Sequence, residues 1–276
     1  MPRSTTLEEK GDHRMKAQAR YGAAALAAVA IATPGAAAAD GELRAGGPTA
    51  AGTAAQTGPH AAQRGVPQIR QLVVFSSGRT LAGRPRARRA SLRYEGSRCA
   101  VAAATPLAAL IHSKPGPMAF HDYGSCSSRP ADGSGLFVKR IRTERNQGLD
   151  GWVYKVGRKL ATAGAADPSG PFGAGRLRAG DEVVWFYCRQ RSRGSCQRTL
   201  QVDADVDGRR VAVEVTGYDD AGDGAAIAGA TVRAGKRRAT TDAEGRATLT
   251  LPRGSHAVHA AKRGTIRSFA RRVVVR

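Results

Sequence analysis

Short apolar runs, separated by stretches rich in Gly, Pro and Arg, recur along the chain from about residue 69 onward. Apolar runs of roughly four to eight residues between turn-forming residues are typical of β-strands. In the first half of the chain this pattern predicts strands at 72–75, 91–94, 135–141, around Trp152 and at 183–188. Strands therefore dominate the predicted structure.

A single helix is predicted between the second and third of these strands. Thr105 has a side chain suited to an N-cap, and Pro106 is suited to the first helical position. Leu107 and Leu110 lie on one face of this helix, and the Pro-Gly-Pro sequence at 115–117 ends it. Two strands, one helix and three strands predict a β-grasp-like domain, so the expected fold class is mainly β within α+β.

After residue 202 short predicted strands follow one another at intervals of roughly 8 to 12 residues. They are 211–216, 230–233, 237–241, 247–251, 256–261 and 269–275. This spacing predicts a small β-sandwich. The stretches 229–232, 241–247 and 254–258 resemble immunoglobulin-like and carboxypeptidase-regulatory-like modules, which implies a structural or adhesive role.

A second resemblance rests on two segments of the first half. Residues 151–157 read Gly-Trp-Val-Tyr-Lys-Val-Gly, and residues 180–188 read Gly-Asp-Glu-Val-Val-Trp-Phe-Tyr-Cys. A Gly-Trp-aromatic strand, then a Gly-Asp turn and a strand with a second Trp, resembles the transcobalamin-like C-terminal domain over about residues 71–202. The resemblance implies a β-grasp-like fold and ligand binding. The large helical barrel of the vertebrate cobalamin carriers has no counterpart here, so the ligand, a corrinoid or another small molecule, stays open.

The N-terminal segment has the pattern of a secretory signal peptide. An Ala-rich apolar run at 21–39 follows Lys16 and Arg20 and ends in three alanines before Asp40. Met15 is an alternative start, and an uncleaved membrane anchor is the alternative to cleavage.

We therefore predict a secreted protein that keeps no membrane span after cleavage. Residues 40–68 are rich in Gly, Ala, Pro and Thr without an apolar period, which is typical of a disordered linker. The predicted order is a signal peptide at 1–39, the linker at 40–68, the β-grasp-like domain at 69–202 and the immunoglobulin-like β-sandwich at 203–276.

The four cysteines are an even number, which favours disulfides in an exported chain. Four cysteines allow three pairings. We favour Cys99 with Cys126 and Cys188 with Cys196, because the second pair encloses a short hairpin tip that contains Gly and Ser. A zinc site is the alternative, although no Cys-x-x-Cys pair supports it.

The chain carries a net formal charge of +22, from 44 Lys and Arg against 22 Asp and Glu. Removing residues 1–39, with five basic and three acidic residues, leaves +20. This charge favours anionic partners such as cell-wall polymers, lipid headgroups or nucleic acid. An excess of Arg with abundant Ala and Gly is also typical of GC-rich coding sequence. The basic clusters at 84–89, 189–193 and 236–238 are therefore interpreted first as solvated surface, and nucleic acid is not the expected partner.

Carboxylates near residue 205 match the spacing of an EF-hand calcium loop: Asp203, Asp205, Asp207 and then Glu214, with Gly208 at the sharp turn. The flanking residues have strand patterns, which favours the alternative of solvated carboxylates in a domain linker. The calcium hypothesis predicts a rise in Tm with millimolar calcium that Asp205→Ala abolishes. No other cofactor is expected.

Four aromatic residues are the predicted ligand-binding candidates. Trp152 and Tyr154 share one face of their strand, and Trp185 and Tyr187 share one face of theirs. They would form a stacking platform for a flat ligand or a sugar; the alternative is that they form the core.

Catalysis has little support, because no Gly-x-Ser-x-Gly motif and no prominent carboxylate pair is present. We expect a non-catalytic ligand-binding or cell-surface interaction protein. The alternatives are a carrier of a corrinoid or other small molecule and a basic protein that binds an envelope polymer.

Overall fold

The computed structural model describes residues 65–191 and 194–276, and the predicted signal peptide and residues 40–64 of the predicted linker lie outside them. The described fold is mainly β, as predicted. One α-helix, α1 (Pro106–His112), and a 3₁₀ helix (Pro130–Gly135) accompany the strands in this part of the chain. The strands are β1 (Arg70–Val74), β2 (Thr80–Gly83), β3 (Ala90–Tyr94), β4 (Ser97–Val101), β5 (Met118–Asp122), β6 (Leu136–Ile141), β7 (Glu144–Arg145), β8 (Gly151–Val156), β9 (Lys159–Leu160), β10 (Glu182–Cys188), β11 (Thr199–Asp207), β12 (Arg210–Tyr218), β13 (Gly224–Ala226), β14 (Thr231–Ala234), β15 (Arg237–Thr240), β16 (Arg246–Thr250), β17 (Gly254–Ala261) and β18 (Arg271–Val275).

The first half of the described chain is built on a central sheet with the strand order β2-β1-β10-β8-β9. Strands β1 and β10 pair in parallel, with Val73 opposite Trp185. The other neighbours in this sheet are antiparallel. Parallel strands need a long crossover, and the residues between β1 and β10 supply it with α1 and the smaller sheets β3-β4 and β5-β6-β7. The β-grasp assignment of this arrangement stays a prediction.

Helix α1 begins as the sequence predicts. The Thr105 hydroxyl accepts a hydrogen bond from the N–H of Ala108 at 3.3 Å, and Pro106 occupies the first turn. A helix of seven residues is too short to be stable in water by itself. Packing stabilises it, because residues 107–110 are fully buried and the N–H of Leu107 donates to the carbonyl of Ala165 at 2.8 Å.

Side-chain alternation divides the central sheet between two hydrophobic clusters. Odd-numbered residues of β1 and β10, such as Val73 and Trp185, join the helix and the small hairpins in the first core. Even-numbered residues of the same strands, such as Val74 and Phe186, enter a third cluster on the opposite face. Nearly every position of β10 is therefore buried, as expected for a strand covered on both faces.

The C-terminal part contains two sheets that face each other. One has the order β11-β12-β13 with β16 paired to β12, and the other has the order β15-β14-β17-β18. The second core lies between them, and Val213, Val232 and Val258 are among its buried residues. The opposite faces of these strands are largely exposed, so the strands show the alternation that the sequence pattern contained.

The third cluster joins the central sheet to the C-terminal part. Ile266 and Phe269, from the residues that connect β17 to β18, pack against the even-numbered residues of β1 and β10. The described residues accordingly belong to one compact unit, which spans 55–276. Strand β11 runs from Thr199 to Asp207, so the predicted boundary at 202/203 falls inside it.

The structure adds strands that the sequence pattern did not predict, namely β2, β4, β5, β7, β9 and β13. Four strands rather than two therefore precede α1. Each added strand has five residues or fewer and is mostly half-buried or exposed, so the pattern of apolar residues indicates these strands only weakly. Within the described ranges no helix is long and apolar enough to cross a membrane.

Candidate anion-binding cleft

A cleft of about 730 Å³ lies where the two halves of the compact unit meet. One wall is the end of β1 and the loop after β10; the other is the outer face of β14 and β17 with the residues that connect β17 to β18. The third cluster fixes both walls, because Ile266 belongs to that cluster and also lines the cleft. The cleft is thus a product of the packing between the halves.

Basic side chains line the cleft and acidic ones do not. Six of its twenty lining residues are Lys or Arg, and none of these twenty, all in the described part of the chain, is Asp or Glu. The basic residues are Arg189, Arg191, Arg233, Lys262, Arg263 and Arg267. A concave surface with charges of a single sign concentrates counter-ions and steers oppositely charged molecules toward it.

Two of these side chains also connect elements of the cleft. The Nη2 atom of Arg191 donates to the carbonyl of Gly264 at 2.5 Å, which links the loop after β10 to the opposite wall. The Nζ atom of Lys262 donates to the carbonyl of Ala228 at 2.6 Å. Both acceptors are neutral carbonyls, so neither bond neutralises the positive charge.

Arg267 is the most constrained cation of the cleft. It is half-buried, its Nη1 atom donates to the Thr80 hydroxyl at 3.3 Å, and its buried Nε–H has no partner among the described residues. No carboxylate lies within ion-pair distance of it in the described ranges. Burial, followed by the positive charge of Arg233, lowers the pKa of Arg267. A partly desolvated charge without a counter-ion is unfavourable.

Arg233 and His259 stand directly opposite each other on the paired strands β14 and β17. Residues opposite each other in an antiparallel pair have neighbouring side chains on the same face, and both of these residues line the cleft. The N–H of Ser268 donates to the carbonyl of Ala260 at 3.0 Å, which places Arg267 beside the same strand. Burial, then Arg267 and Arg233, lowers the pKa of His259.

Comparisons of the chain with family models, curated proteins and solved structures find no match.

The four predicted aromatic residues lie inside the first core. Trp152, Tyr154, Trp185 and Tyr187 are 1%, 6%, 1% and 8% exposed, respectively. Trp152 lies edge-to-face with Tyr187 at a centroid distance of 5.9 Å, and Tyr154 lies 5.0 Å from Trp185. Backbone carbonyls accept hydrogen bonds from Trp152, Tyr154 and Tyr187 at 2.9, 2.8 and 3.0 Å. The structure therefore brings all four together as packed core residues, and ligand binding by them stays a prediction.

A small apolar cavity of about 130 Å³ adjoins this aromatic group. Trp152, Tyr154 and Trp185 contribute to its lining, together with residues of β6 and the segment after β9. The Trp185 indole N–H is buried without a hydrogen-bond partner in the described ranges. Typical small-molecule sites have volumes of roughly 300–1,000 Å³, so this cavity suits only a small apolar group.

The predicted calcium residues lie along a tight hairpin. Asp203, Asp205 and Asp207 alternate with other residues on β11, and Glu214 is opposite Asp203 on β12. Only Gly208 and one further residue lie between the last paired residues of β11 and β12. Gly208 has φ of +53°, which suits a two-residue hairpin turn. The carboxylates thus follow an extended strand. No group of three or more His, Cys, Asp or Glu placed to hold a metal occurs among the described residues.

Both favoured disulfides are present. Cys99 is bonded to Cys126, and Cys188 to Cys196. The chain has four cysteines, and none of them is free. Because a structural zinc site needs reduced thiolates, the alternative of a zinc site is wrong for this oxidised form.

The residues of the cleft were not predicted as a site from the sequence. Of the three basic clusters, 189–193 contributes Arg189 and Arg191, whereas 84–89 and 236–238 contribute no lining residue. Arg233, His259 and Arg267 come from separate segments and lie in unremarkable local sequence. The one available signal was the lack of acidic residues between 253 and 276, a stretch that contains seven Lys and Arg residues.

Proposed function

We propose that this chain is a secreted, non-catalytic binding protein whose basic cleft holds an anionic polymer of the cell envelope. The observation that carries the proposal is the convergence of six Lys and Arg side chains on one cleft of about 730 Å³, whose twenty described lining residues include no Asp or Glu. Its two disulfides are typical of proteins that work outside the reducing cytosol, where envelope polymers are found.

A polymer fits this cleft better than a compact small molecule does. Small-molecule sites are mostly apolar with a few well-placed polar groups, whereas six of twenty lining residues here are cationic. These cations lie on the loop after β10, on β14 and on the connection between β17 and β18. Charges spread over several elements can contact successive anionic groups of a chain, and each contact adds a modest, salt-dependent gain.

A small-molecule carrier is the second candidate, and the 130 Å³ cavity beside Trp185 favours it. An apolar cavity of about 150 Å³ is known to hold a ligand the size of benzene, so a corrinoid would require the first core to open. Titration of the protein with small aromatic compounds tests this candidate, because occupation of the cavity would change the fluorescence of Trp152 and Trp185. An unchanged fluorescence spectrum would refute the small-molecule carrier.

The polymer proposal is tested by fluorescence anisotropy with labelled polyphosphate, poly-L-glutamate and duplex DNA at several salt concentrations. The double variant Arg189→Gln/Arg263→Gln removes two exposed charges from the cleft. Each exposed contact is worth up to about 1 kcal/mol, so we expect roughly a 5- to 30-fold loss of affinity. We also expect a shallower dependence of log K on log salt, by roughly one to two.

The matched control is the double variant Arg93→Gln/Arg98→Gln. These two arginines are exposed, lie opposite each other on the β3–β4 hairpin, and do not line the cleft. The control removes the same net charge from the protein. A difference in affinity between the two double variants therefore reflects the position of the removed charges and not their number. Equal losses in the two double variants, or the lack of binding by the wild-type protein at low salt, would refute the proposed function. Preference for duplex DNA over both synthetic polymers would move the proposal to nucleic acid.

A further inference from the structure

We propose that Arg233, His259 and Arg267 form a subsite for one tetrahedral oxyanion group, a phosphate or sulfate, of the bound polymer. This inference rests on the proposed function, since it names the anionic group that the cleft takes. Other basic residues of the cleft would contact the polymer at neighbouring positions. The subsite itself is the place where one anionic group is desolvated and recognised.

The backbone fixes the three side chains as a group. Arg233 and His259 are held opposite each other by the pairing of β14 with β17, and both lie on the face turned away from the second core. Arg267 approaches from the connection to β18, which is anchored by Ile266 in the third cluster. The cluster is therefore preorganised by two sheets and does not depend on a flexible loop.

The subsite is incomplete without an anion. Three groups that are cationic or can become cationic lie side by side, and like charges opposite each other on paired strands are destabilising. Arg267 is half-buried, and its Nε–H lacks an acceptor among the described residues. Its Nη1 atom meets only the neutral hydroxyl of Thr80. An oxyanion bound against these side chains would offset the mutual repulsion of the three groups.

The arrangement of donors favours a tetrahedral oxyanion over a carboxylate. Two guanidinium groups and one imidazole ring come from three separate elements of one wall, namely β14, β17 and the connection between β17 and β18. Each guanidinium offers several N–H donors in a fixed fork. A carboxylate has two acceptor oxygens in a single plane, whereas phosphate and sulfate groups present oxygens in several directions. The charge of a phosphate or sulfate group is also shared by strong hydrogen bonds to arginine.

Occupation of the subsite should be coupled to a proton. The charged groups that line the cleft with His259 are Arg233 on β14; Lys262, Arg263 and Arg267 on the connection between β17 and β18; and Arg189 and Arg191 on the loop after β10. The end of β1 and the following turn contribute the uncharged Ser76 and Gly78. Two carboxylates adjoin this opposite wall, because the N–H of Ser76 donates to Glu144 at 3.0 Å and the N–H of Gln190 donates to Asp150 at 2.8 Å. Burial, followed by the charges of Arg267 and Arg233, keeps the pKa of His259 below its ordinary value, so the ring is neutral near pH 7 in the free protein. A bound oxyanion places negative charge beside the ring and so favours its protonated form. His259 should then take up a proton.

Isothermal titration calorimetry on the full chain tests the subsite with polyphosphate, dextran sulfate and poly-L-glutamate. We expect at least roughly tenfold tighter binding of the phosphate and sulfate polymers than of the carboxylate polymer at matched charge. Arg267→Gln should weaken binding of the first two by roughly 10- to 100-fold and abolish the preference. Arg189→Gln/Arg263→Gln should instead weaken all three to a similar degree. A preference between polyphosphate and dextran sulfate would identify the source of the oxyanion.

Proton uptake provides a second readout, and it would be absent if the subsite residues had only a structural role. Titrations near pH 7 in two buffers with different ionisation enthalpies should show uptake for the wild-type protein and none for His259→Gln. Arg233 is exposed, so Arg233→Gln keeps the test valid if thermal melting shows that Arg267→Gln does not fold. It should also abolish the preference for tetrahedral groups.

The outcomes separate the two proposals. Lack of binding to all three polymers would refute the proposed function and this inference together. Binding to the three polymers with similar affinity, unchanged preference in Arg267→Gln and Arg233→Gln, or equal proton uptake in His259→Gln would refute the subsite and leave the proposed function standing.

Discussion

Lys155 provides the sharpest test of how the two halves of the compact unit are held together. Its side chain is fully buried on the β8 face opposite Trp152 and Tyr154. Its Nζ atom donates to the carbonyl of Asp219 at 2.6 Å and to that of Tyr218 at 3.0 Å, and it lies 3.5 Å from the Asp220 carboxylate. Lys155 therefore connects the central sheet to the end of β12.

The substitution Lys155→Met keeps the length of the side chain and removes all of its polar contacts. Breaking a buried ion pair by removing one partner costs about 3–5 kcal/mol, because the groups left behind lose their partner. The Oδ1 atom of Asp220 that faces Lys155 is buried. The Asp220 side chain as a whole is 24% exposed and so keeps some contact with water, and we expect the lower end, about 3 kcal/mol. For a folded unit of this size, 1 kcal/mol corresponds to about 2–4 °C in Tm. The expected decrease in Tm is thus about 6–12 °C.

The measurement is urea unfolding at 25 °C together with calorimetry. The matched control is Lys139→Met, since Lys139 is exposed on β6 and makes no side-chain hydrogen bond or ion pair within the described ranges. The control should change the free energy of unfolding by less than about 0.5 kcal/mol. In a double-mutant cycle, Lys155→Met/Asp220→Asn should cost less than the sum of the single substitutions. A loss below 0.5 kcal/mol in Lys155→Met would refute the reasoning and leave hydrophobic packing alone to join the halves.

The pH dependence of the free energy of unfolding tests the same buried environment of Lys155. Burial lowers the pKa of Lys155 below its ordinary value of 10.5, and the carboxylates of Asp220 and Asp219 oppose this shift. Between the lowered folded-state pKa and 10.5, the unfolded chain binds more protons than the folded one, so this group makes stability rise with pH. The wild-type protein should therefore gain stability relative to Lys155→Met as the pH rises toward 10.5. A constant difference between pH 7 and 10 would contradict this assignment.

The remaining predictions concern the disulfides and calcium. In the loop-entropy model the Cys99–Cys126 bridge, with a sequence separation of 27, contributes about 3.5 kcal/mol, and the Cys188–Cys196 bridge, with a separation of 8, about 2.5 kcal/mol. Replacing the first pair by Ala should lower the unfolding free energy more than replacing the second, and the reverse order in urea titrations would contradict the model. Because Asp205 lies on an extended strand, millimolar calcium should leave Tm unchanged in the wild-type protein and in Asp205→Ala; a rise confined to the wild-type protein would establish the calcium site.

Local sequence determined most of the individual elements of this protein. The alternation of apolar residues located the long strands, such as β10 and β17, because a strand with buried positions must carry apolar side chains at them. The Thr105-Pro106 pair determined the start of α1, since capping depends only on neighbouring residues. The favoured disulfides were also correct.

Tertiary structure alone decided which of these residues come together. The even-numbered residues of β10 are as apolar as the odd-numbered ones, so only the packed structure shows that Ile266 covers one face and α1 the other. The buried role of Lys155 depends on acceptors more than sixty residues away along the chain. Likewise Arg233, His259 and Arg267 form one cluster because strand pairing and the connection to β18 place them there. A cleft built from distant segments leaves no local pattern in the sequence. A charged residue at each of its positions is equally compatible with ordinary solvated surface.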